Sequence, residues 1–511
     1  MALVCYSHIP PELLRHIFLE VIDLQHKDSS FVNTLDTSLF PWVPARVCRQ
    51  WRLLCLADWN RDFWTDIRVN EAFAVKKYTP KNDEEVEKLR ESNVFFDQYM
   101  SLNMATTAAR FTVQDLDDQE ALRAYKGLEG RLEAQLEYAG DMPLTITMDV
   151  DTTALQVALF SVLWPHRARW KQLRLESICP SLSGDWDRTI QAYLRETISS
   201  EDIQFPLLAS LCHSYSPRST HTLPGFMYIS ETQIIVDLFQ QSRTPALTEA
   251  YMHFNLALCG PQVHGFAWER LRVLELLGVP SSFIRVLTPR IGPNLRELQL
   301  RMADANFDCF TPGPHPTPPP PIPCTTFPSL TSFKVNCLSI LKYIHAPVLH
   351  TLFVERRIVD PVVGIPGSST PLDAVVDFLH RSGCSLRDFT LLHSYGPVAD
   401  HPQQLCAVLH ASPELKSLRV SGVSGEMMEA LGAVLASGVC PNLERLDISG
   451  VRGTLRCVVG LVVSRSGVEK GRGVDSKLRH VWVEETRDEK GSVSVHRTAE
   501  GLWSVLEWKR K

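Results

Sequence analysis

The chain is poor in the features that mark secreted, membrane-bound or catalytic proteins. Its 511 residues include thirteen cysteines, but these are scattered singly and no C-x-x-C occurs. Paired spacing of that kind is what a structural zinc site or a redox dithiol needs. Met1 to Cys5 is apolar but far too short for a secretory leader. The longest apolar stretch, near Cys457 to Val463, falls well below the roughly 20 residues that cross a bilayer. The expectation is an intracellular chain, cytoplasmic or nuclear, with reduced thiols and no membrane partner. Lys509-Arg510-Lys511 is too short to read as a nuclear signal.

A surplus of either charge is also missing. The net charge is −6, and a general nucleic-acid binder needs clustered positive charge instead. Arg46, Arg49 and Arg52 lie three apart and read as a solvated face of one helix. No phosphate loop, G-x-G-x-x-G, H-E-x-x-H or G-x-S-x-G is present. His213 and His393 each sit in a His-Ser-Tyr triplet expected just after a strand, the first beside Cys212, without companion ligands at zinc spacing. Asp149 and Asp151 fit a strand end and a helix cap. Cys48 and Cys55, seven apart, have core spacing on one helix face. The chain is therefore expected to be no enzyme and to hold no cofactor and no metal.

Large apolar residues, by contrast, crowd the first 67 positions. Pro10 and Pro11 suit a helix start, and Glu12 suits the positive end of its dipole. Leu13, Leu14, Ile17, Phe18 and Val21 follow at helical spacing. A second helix is expected from Pro44, with Val47, Cys48, Trp51, Leu54 and Cys55 on one face; Trp59, Phe63, Trp64 and Ile67 add a third cluster. A unit of this size cannot hide so many large groups, and the surplus should face a partner. The bland alternative is a set of ordinary core helices.

The order Ile9-Pro10-Pro11-Glu12-Leu13-Leu14, Ile17-Phe18, Val47-Cys48-Arg49-Gln50-Trp51-Arg52-Leu53-Leu54, then Phe63-Trp64, resembles an F-box. The resemblance implies a helical plug that binds a Skp-family adaptor and, through it, a cullin, with substrate chosen by the rest of the chain. The residues it assigns to the adaptor surface are Pro10, Leu13, Leu14, Ile17, Phe18, Val47, Cys48, Trp51, Leu54 and Trp64. One departure is the long stretch from Phe18 to Val47. It carries the polar run Gln25 to Ser30 together with Pro41 and Pro44, and reads as a surface insertion.

From about residue 143 a short pattern recurs. Clear copies are Leu271-Arg-Val-Leu274-Glu-Leu276, Leu295-Arg-Glu-Leu298-Gln-Leu300, Leu415-Lys-Ser-Leu418-Arg-Val420 and Leu443-Glu-Arg-Leu446-Asp-Ile448. Looser copies start at Pro143, Trp170, Leu208, Leu247, Leu330, Leu349, Leu386 and Leu478, at uneven steps. A proline stands two residues before seven of the copies, at Pro206, Pro245, Pro293, Pro328, Pro347, Pro413 and Pro441. Proline cannot continue a helix and biases its neighbour toward extended geometry, so it suits the approach to a strand. Helices are expected at Thr152 to Trp164, Glu231 to Gln241, Pro371 to Ser382, Gln403 to Ala411 and Glu426 to Ser437, with Gly383 and Gly438 as stops. Such units bury their apolar faces only by stacking. The whole is similar to leucine-rich-repeat F-box proteins, although no Asn or Cys column is visible. A non-repetitive α/β domain is the alternative.

The expected fold class is α/β, with a helical F-box followed by a curved, irregular leucine-rich-repeat-like solenoid of parallel strands. Its parts would be an F-box at 1–70 and a helical linker at 71–142, with candidate helices Asn82 to Glu91 and Gln119 to Ala139. The solenoid would follow at 143–485, and a charged segment with a terminal helix at 486–511. The proline-rich stretch at 311–324 reads as a polyproline loop, or as a strip for an SH3-like or WW-like partner. The functional expectation is a substrate receptor of an SCF-type ubiquitin ligase, its protein substrate unknown. The alternative is a leucine-rich interaction scaffold whose F-box-like segment caps the open end.

Overall fold

The structure, a computed structural model, describes residues 10–28, 34–36, 38–70, 118–149, 159–178, 203–216, 238–253, 265–279, 288–302, 324–356, 371–393, 402–422, 425–451, 478–485, 491–497 and 503–510. The expected helix Asn82 to Glu91, the proline-rich stretch at 311–323 and Asp151 lie outside them. The fold is mixed α/β, with largely parallel sheet. The chain divides into two compact units, residues 1–223 with 242–246, and 224–241 with 247–511. Positions 70 and 142 both fall inside the first.

In the first unit, α1 runs Pro11–Asp28, α2 Pro44–Val47 and α3 Arg49–Cys55, followed by a 3-10 turn, Asp58–Trp64. Pro11 opens α1 with Glu12 in its first turn, as the missing N–H and the dipole favour. The expected second helix is broken at Cys48, whose backbone is extended (φ −156°, ψ 169°) and whose sulfur accepts the Trp51 N–H at 3.5 Å. The three arginines are therefore split between α2 and α3. Strand β1 (Asp66–Asn70) follows at once, then α4 (Asp118–Ala139) and β2 (Leu144–Asp149). Helix α4 ends at Gly140, whose φ of +56° suits glycine. Beyond it lie β3 (Trp170–Ile178) and β4 (Ser210–Ser216), and β1 to β4 pair in parallel in sequence order. Only 159–164 of the expected helix 152–164 is described; 159–163 is α-helical and Trp164 opens a 3-10 turn, Trp164–Arg169.

In the second unit the strands are β5 (Glu249–His253), β6 (Val273–Val279), β7 (Glu297–Met302), β8 (Thr325–Thr326), β9 (Ser332–Val335), β10 (Ile344–His345), β11 (Thr351–Arg356), β12 (Asp388–His393), β13 (Ser417–Ser421), β14 (Arg445–Val451) and β15 (His480–Glu485). Apart from the small β8–β10 ribbon they lie side by side in parallel. Between them α5 (Pro371–Ser382), α6 (Pro402–His410) and α7 (Gly425–Ala436) match the expected helices to within one residue at each end. Gly383 and Gly438 follow α5 and α7 with φ +60° and +90°, the left-handed stop that glycine adopts freely.

The proline mark has a local cause. Six of the seven prolines sit second in a tight turn whose first carbonyl accepts the N–H of the apolar residue three places on. Phe205 to Leu208, Gly292 to Leu295, Phe327 to Leu330, Ala346 to Leu349, Ser412 to Leu415 and Cys440 to Leu443 close at 3.2–3.4 Å. Proline's fixed φ is pre-set for that position. The leucine is fully or almost fully buried in each, and the strand starts two residues later. Pairing then puts Leu274, Leu298, Phe333, Leu352, Phe389, Leu418, Leu446 and Val481 in one register row, all buried. Side chains on neighbouring positions alternate outward, as a period of two requires.

The C-terminal segment differs from expectation. In place of a terminal helix, β16 (Gly491–Arg497) and β17 (Trp503–Arg510) pair antiparallel onto β15. Trp503-Ser-Val505 and Val493-Ser-Val495 carry the period-two, β-branched and aromatic character of strands.

Candidate partner-docking surface

The N-terminal bundle is organised by rings. Phe18 from α1 meets Phe40, Trp51 and Phe63 at centroid distances of 5.5, 5.3 and 6.2 Å, mostly edge to face. Such pairs add about 0.5–1.5 kcal/mol each beyond their buried area. Leu14, Leu54 and Cys55 complete this core. Burial pushes the Cys55 thiol up to about 12, which leaves it inert. Asn60 is fully buried, yet its amide N–H donates to the Leu54 carbonyl at 2.8 Å and its oxygen accepts from Arg15 Nε at 3.0 Å. Arg15 also pairs with Asp62 at 2.7 Å. That pair is half exposed and is worth under about 1 kcal/mol.

What this core leaves outside is unusual. Among the described residues, twelve large apolar side chains are exposed, and nine of them lie between Leu13 and Trp59. On α1 these are Leu13, Ile17, Val21 and Leu24, spaced along one stripe; around α2 and α3 they are Val43, Val47, Leu53 and Leu56; Trp59 follows on the 3-10 turn. Leu53 is 61% exposed and Leu13 52%. Between Val43 and Ala57 there is no carboxylate, while Arg46, Arg49 and Arg52 are all exposed. Arg52 is steadied by its Nε–H donating to the Ala45 carbonyl at 2.9 Å.

The residues expected at this surface separate into two groups. Pro10, Leu13, Ile17, Val47 and Cys48 are exposed. Leu14, Phe18, Leu54 and Trp64 are buried, and Trp51 is half-buried against Phe18. The buried group supports the surface from beneath. Cys48 is not a core partner of Cys55, because the break between α2 and α3 turns it to solvent. Exposed Val43, Leu53, Leu56 and Leu24 were missed as surface residues. Leu53 stood in the matched segment, but Leu54 beside it took the helix-spacing signal.

The stretch from Phe18 to Val47 is more than a surface insertion. Helix α1 continues to Asp28, and Thr34, Leu35 and Phe40 are buried. Pro41 and Phe40 form part of the bundle interior, so the added length contributes core as well as loop.

The open side chains of the second unit's strands form another candidate surface. Gln299 donates to Glu275 at 2.7 Å, Arg301 pairs with Glu355 at 3.0 Å, and the Lys334 ammonium lies 4.7 Å from the Phe353 ring centre. Arg445 holds Asp447 at 2.7 Å, with His480 3.8 Å away on β15. These groups are mostly paired across strands, so they form a patterned polar surface instead of a pocket aimed at one charge.

No group of His, Cys, Asp and Glu among the described residues could hold a metal ion. His213 lies within β4 and is buried, not on the loop after it, and His393 is the last residue of β12. Asp149 closes β2 as expected. Among the described residues no helix is long and apolar enough to cross a membrane. No family model matches the chain, and no curated protein matches it at a significant level.

Proposed function

We propose that the chain is a non-catalytic substrate receptor of an SCF-type ubiquitin ligase. Its N-terminal bundle would be an F-box that takes a Skp-family adaptor, and the adaptor would bring the cullin. The strand region would be a leucine-rich-repeat-like solenoid that takes a protein substrate on its open polar face. Such a role belongs in the cytoplasm or nucleus, with catalysis left to other subunits. The observation that carries the reading is the concentration of nine exposed apolar side chains on helices whose sequence resembles an F-box. A patch of that kind is an interaction site far more often than an accident.

The border of the patch sharpens the partner's chemistry. Three exposed arginines and no carboxylate on α2 and α3 complement an acidic surface, so association should slow as salt screens them.

A second reading has its own support. The bundle is followed without a break by β1, and Trp64 is buried against Tyr138 of α4 with ring centres 4.8 Å apart. A leucine-rich scaffold using the bundle as an end cap would look the same at that joint. The two readings separate on adaptor capture. Full-length protein should bind a purified Skp-family adaptor, and a Leu13→Ala/Leu53→Ala variant should bind about 30-fold or more weakly with its melting temperature unchanged, as for anchor residues of an interface. These two positions are better probes than Trp51, which also packs on Phe18. Absence of capture by the wild type, or equal capture of the variant, would remove the ligase reading.

A further inference from the structure

The outer edge of β1 is closed by Thr34 and Gln135, through backbone and side-chain groups, where a neighbouring strand would otherwise pair. The Thr65 carbonyl accepts the Thr145 N–H at 3.0 Å, so odd-numbered backbone groups here face β2. Alternation then turns the backbone groups of Asp66 and Arg68 the other way. Each is met. The Arg68 carbonyl accepts the Thr34 N–H at 2.9 Å, and the Arg68 N–H donates to the Thr34 hydroxyl at 2.9 Å. The Asp66 carbonyl accepts from the Gln135 amide at 2.9 Å.

Gln135 is the hub. It is fully buried, and its amide nitrogen donates also to the Trp64 carbonyl at 3.1 Å while its oxygen accepts the Thr34 hydroxyl at 3.4 Å. The Thr34 carbonyl in turn accepts the Trp42 indole N–H at 2.8 Å, and the Trp42 ring packs edge-on to Trp64 at 5.1 Å. One network therefore joins α4, β1 and the stretch between α1 and α2. Buried polar networks rigidify when every member is satisfied, and a free sheet edge invites another strand.

We propose that Thr34, Trp42 and Gln135 form a clamp that seals the outer edge of β1 and fixes the N-terminal bundle to β1 and α4 as one rigid piece. Thr34 and Gln135 are its positioning residues. The inference does not depend on what the bundle binds. Thr34 and Trp42 thereby give the lengthened helix connection a structural task, and the bundle cannot pivot about Thr65.

The test uses the full chain and no partner. Amide exchange would be followed in peptides covering 66–70, 11–24 and 445–451 in the wild type, Thr34→Val, Gln135→Met, the double variant and Thr34→Ser. Thr34→Val keeps the shape and removes the acceptor. The 66–70 peptide should exchange about tenfold faster or more in the double variant, since buried backbone groups lose their partners. The other two peptides should hold, and Thr34→Ser should restore protection. Sedimentation should show concentration-dependent self-association of the double variant. Unchanged exchange at 66–70, or equal acceleration in all three peptides, would overturn the clamp. Each single variant provides the same comparison if the double variant does not fold.

Discussion

In the strands of the second unit, buried leucines alternate with polar neighbours, and Val348 is the exposed large apolar residue among those described there. In the N-terminal bundle the apolar residues are doubled. Leu14, Phe18 and Leu54 are buried, yet Leu13, Ile17 and Leu53 beside them are exposed. A strand has two faces and needs one apolar set. A helix stripe of ordinary width would also need only one. The bundle carries a second set that its own fold does not use, which is how a surface reserved for something else is written in sequence. The strands instead bear cross-strand polar pairs such as Arg301–Glu355 and Gln299–Glu275 on their open side. Recognition there would depend on pattern more than on apolar area.

The contrast between bundle and strands would fail if the bundle proved detachable. Removing residues 1–70 deletes β1 and Trp64, uncovers Gln135 and Tyr138 of α4, and opens the edge of β2. Loss of the Trp64 packing alone is worth about 3–5 kcal/mol, a large part of any domain's stability. The truncated chain should be insoluble or aggregated on size exclusion. A soluble, monomeric product with native circular dichroism would make the bundle a tethered plug after all. Aggregation, however, does not by itself choose between adaptor docking and simple capping, because the structure makes the bundle integral under both. Adaptor capture is the measurement that chooses.

A matched pair of leucines tests the same contrast at a smaller scale. Leu352→Ala removes a fully buried strand residue and should cost about 2–5 kcal/mol by urea unfolding. Leu53→Ala removes an exposed residue of the same type and should change stability by no more than about 0.5 kcal/mol. Comparable losses at both positions would mean that Leu53 is a core residue and not part of a docking surface.

How much of this was legible in the sequence depends on period. The 3.6-residue pattern placed α5, α6 and α7 almost to the residue, because the apolar stripe is clean and Gly383 and Gly438 mark the ends of α5 and α7. The Pro-x-Leu mark was legible because one tight turn recurs before six of the strands. The break at Cys48 was not: α2 and α3 each continue an apolar spacing that one helix could also satisfy, and only the extended backbone at Cys48 separates them. The division of the bundle into core and surface was hidden for a related reason. Spacing identifies an apolar face, but which side of a crowded helix is covered depends on where Phe40 and Phe63 arrive. Thr34 and Gln135 gave no local signal at all. Their roles come from pairings across 34 and 101 residues of chain. The terminal strands were missed because charge was weighed above alternation.

The smallest expected effect distinguishes the bundle from the strands within its own unit. Ahead of β3, His166 accepts a hydrogen bond from Arg169 at 3.2 Å. Burial first, and the Arg169 charge second, hold its imidazole below the ordinary 6.5. The folded state thus resists a proton that the unfolded chain accepts. Stability from this site is complete above about pH 6.5 and is lost as pH falls through the lower folded value. The urea midpoint of the unfolding transition should decline from pH 7.5 to 5. His166→Gln, which keeps an acceptor for Arg169 without the titration, should flatten that decline. Amide exchange in α1 should respond less to the same pH change than exchange in β3. An identical pH response in α1 and β3, or an unchanged slope in the variant, would show that His166 does not set the acid sensitivity of these strands.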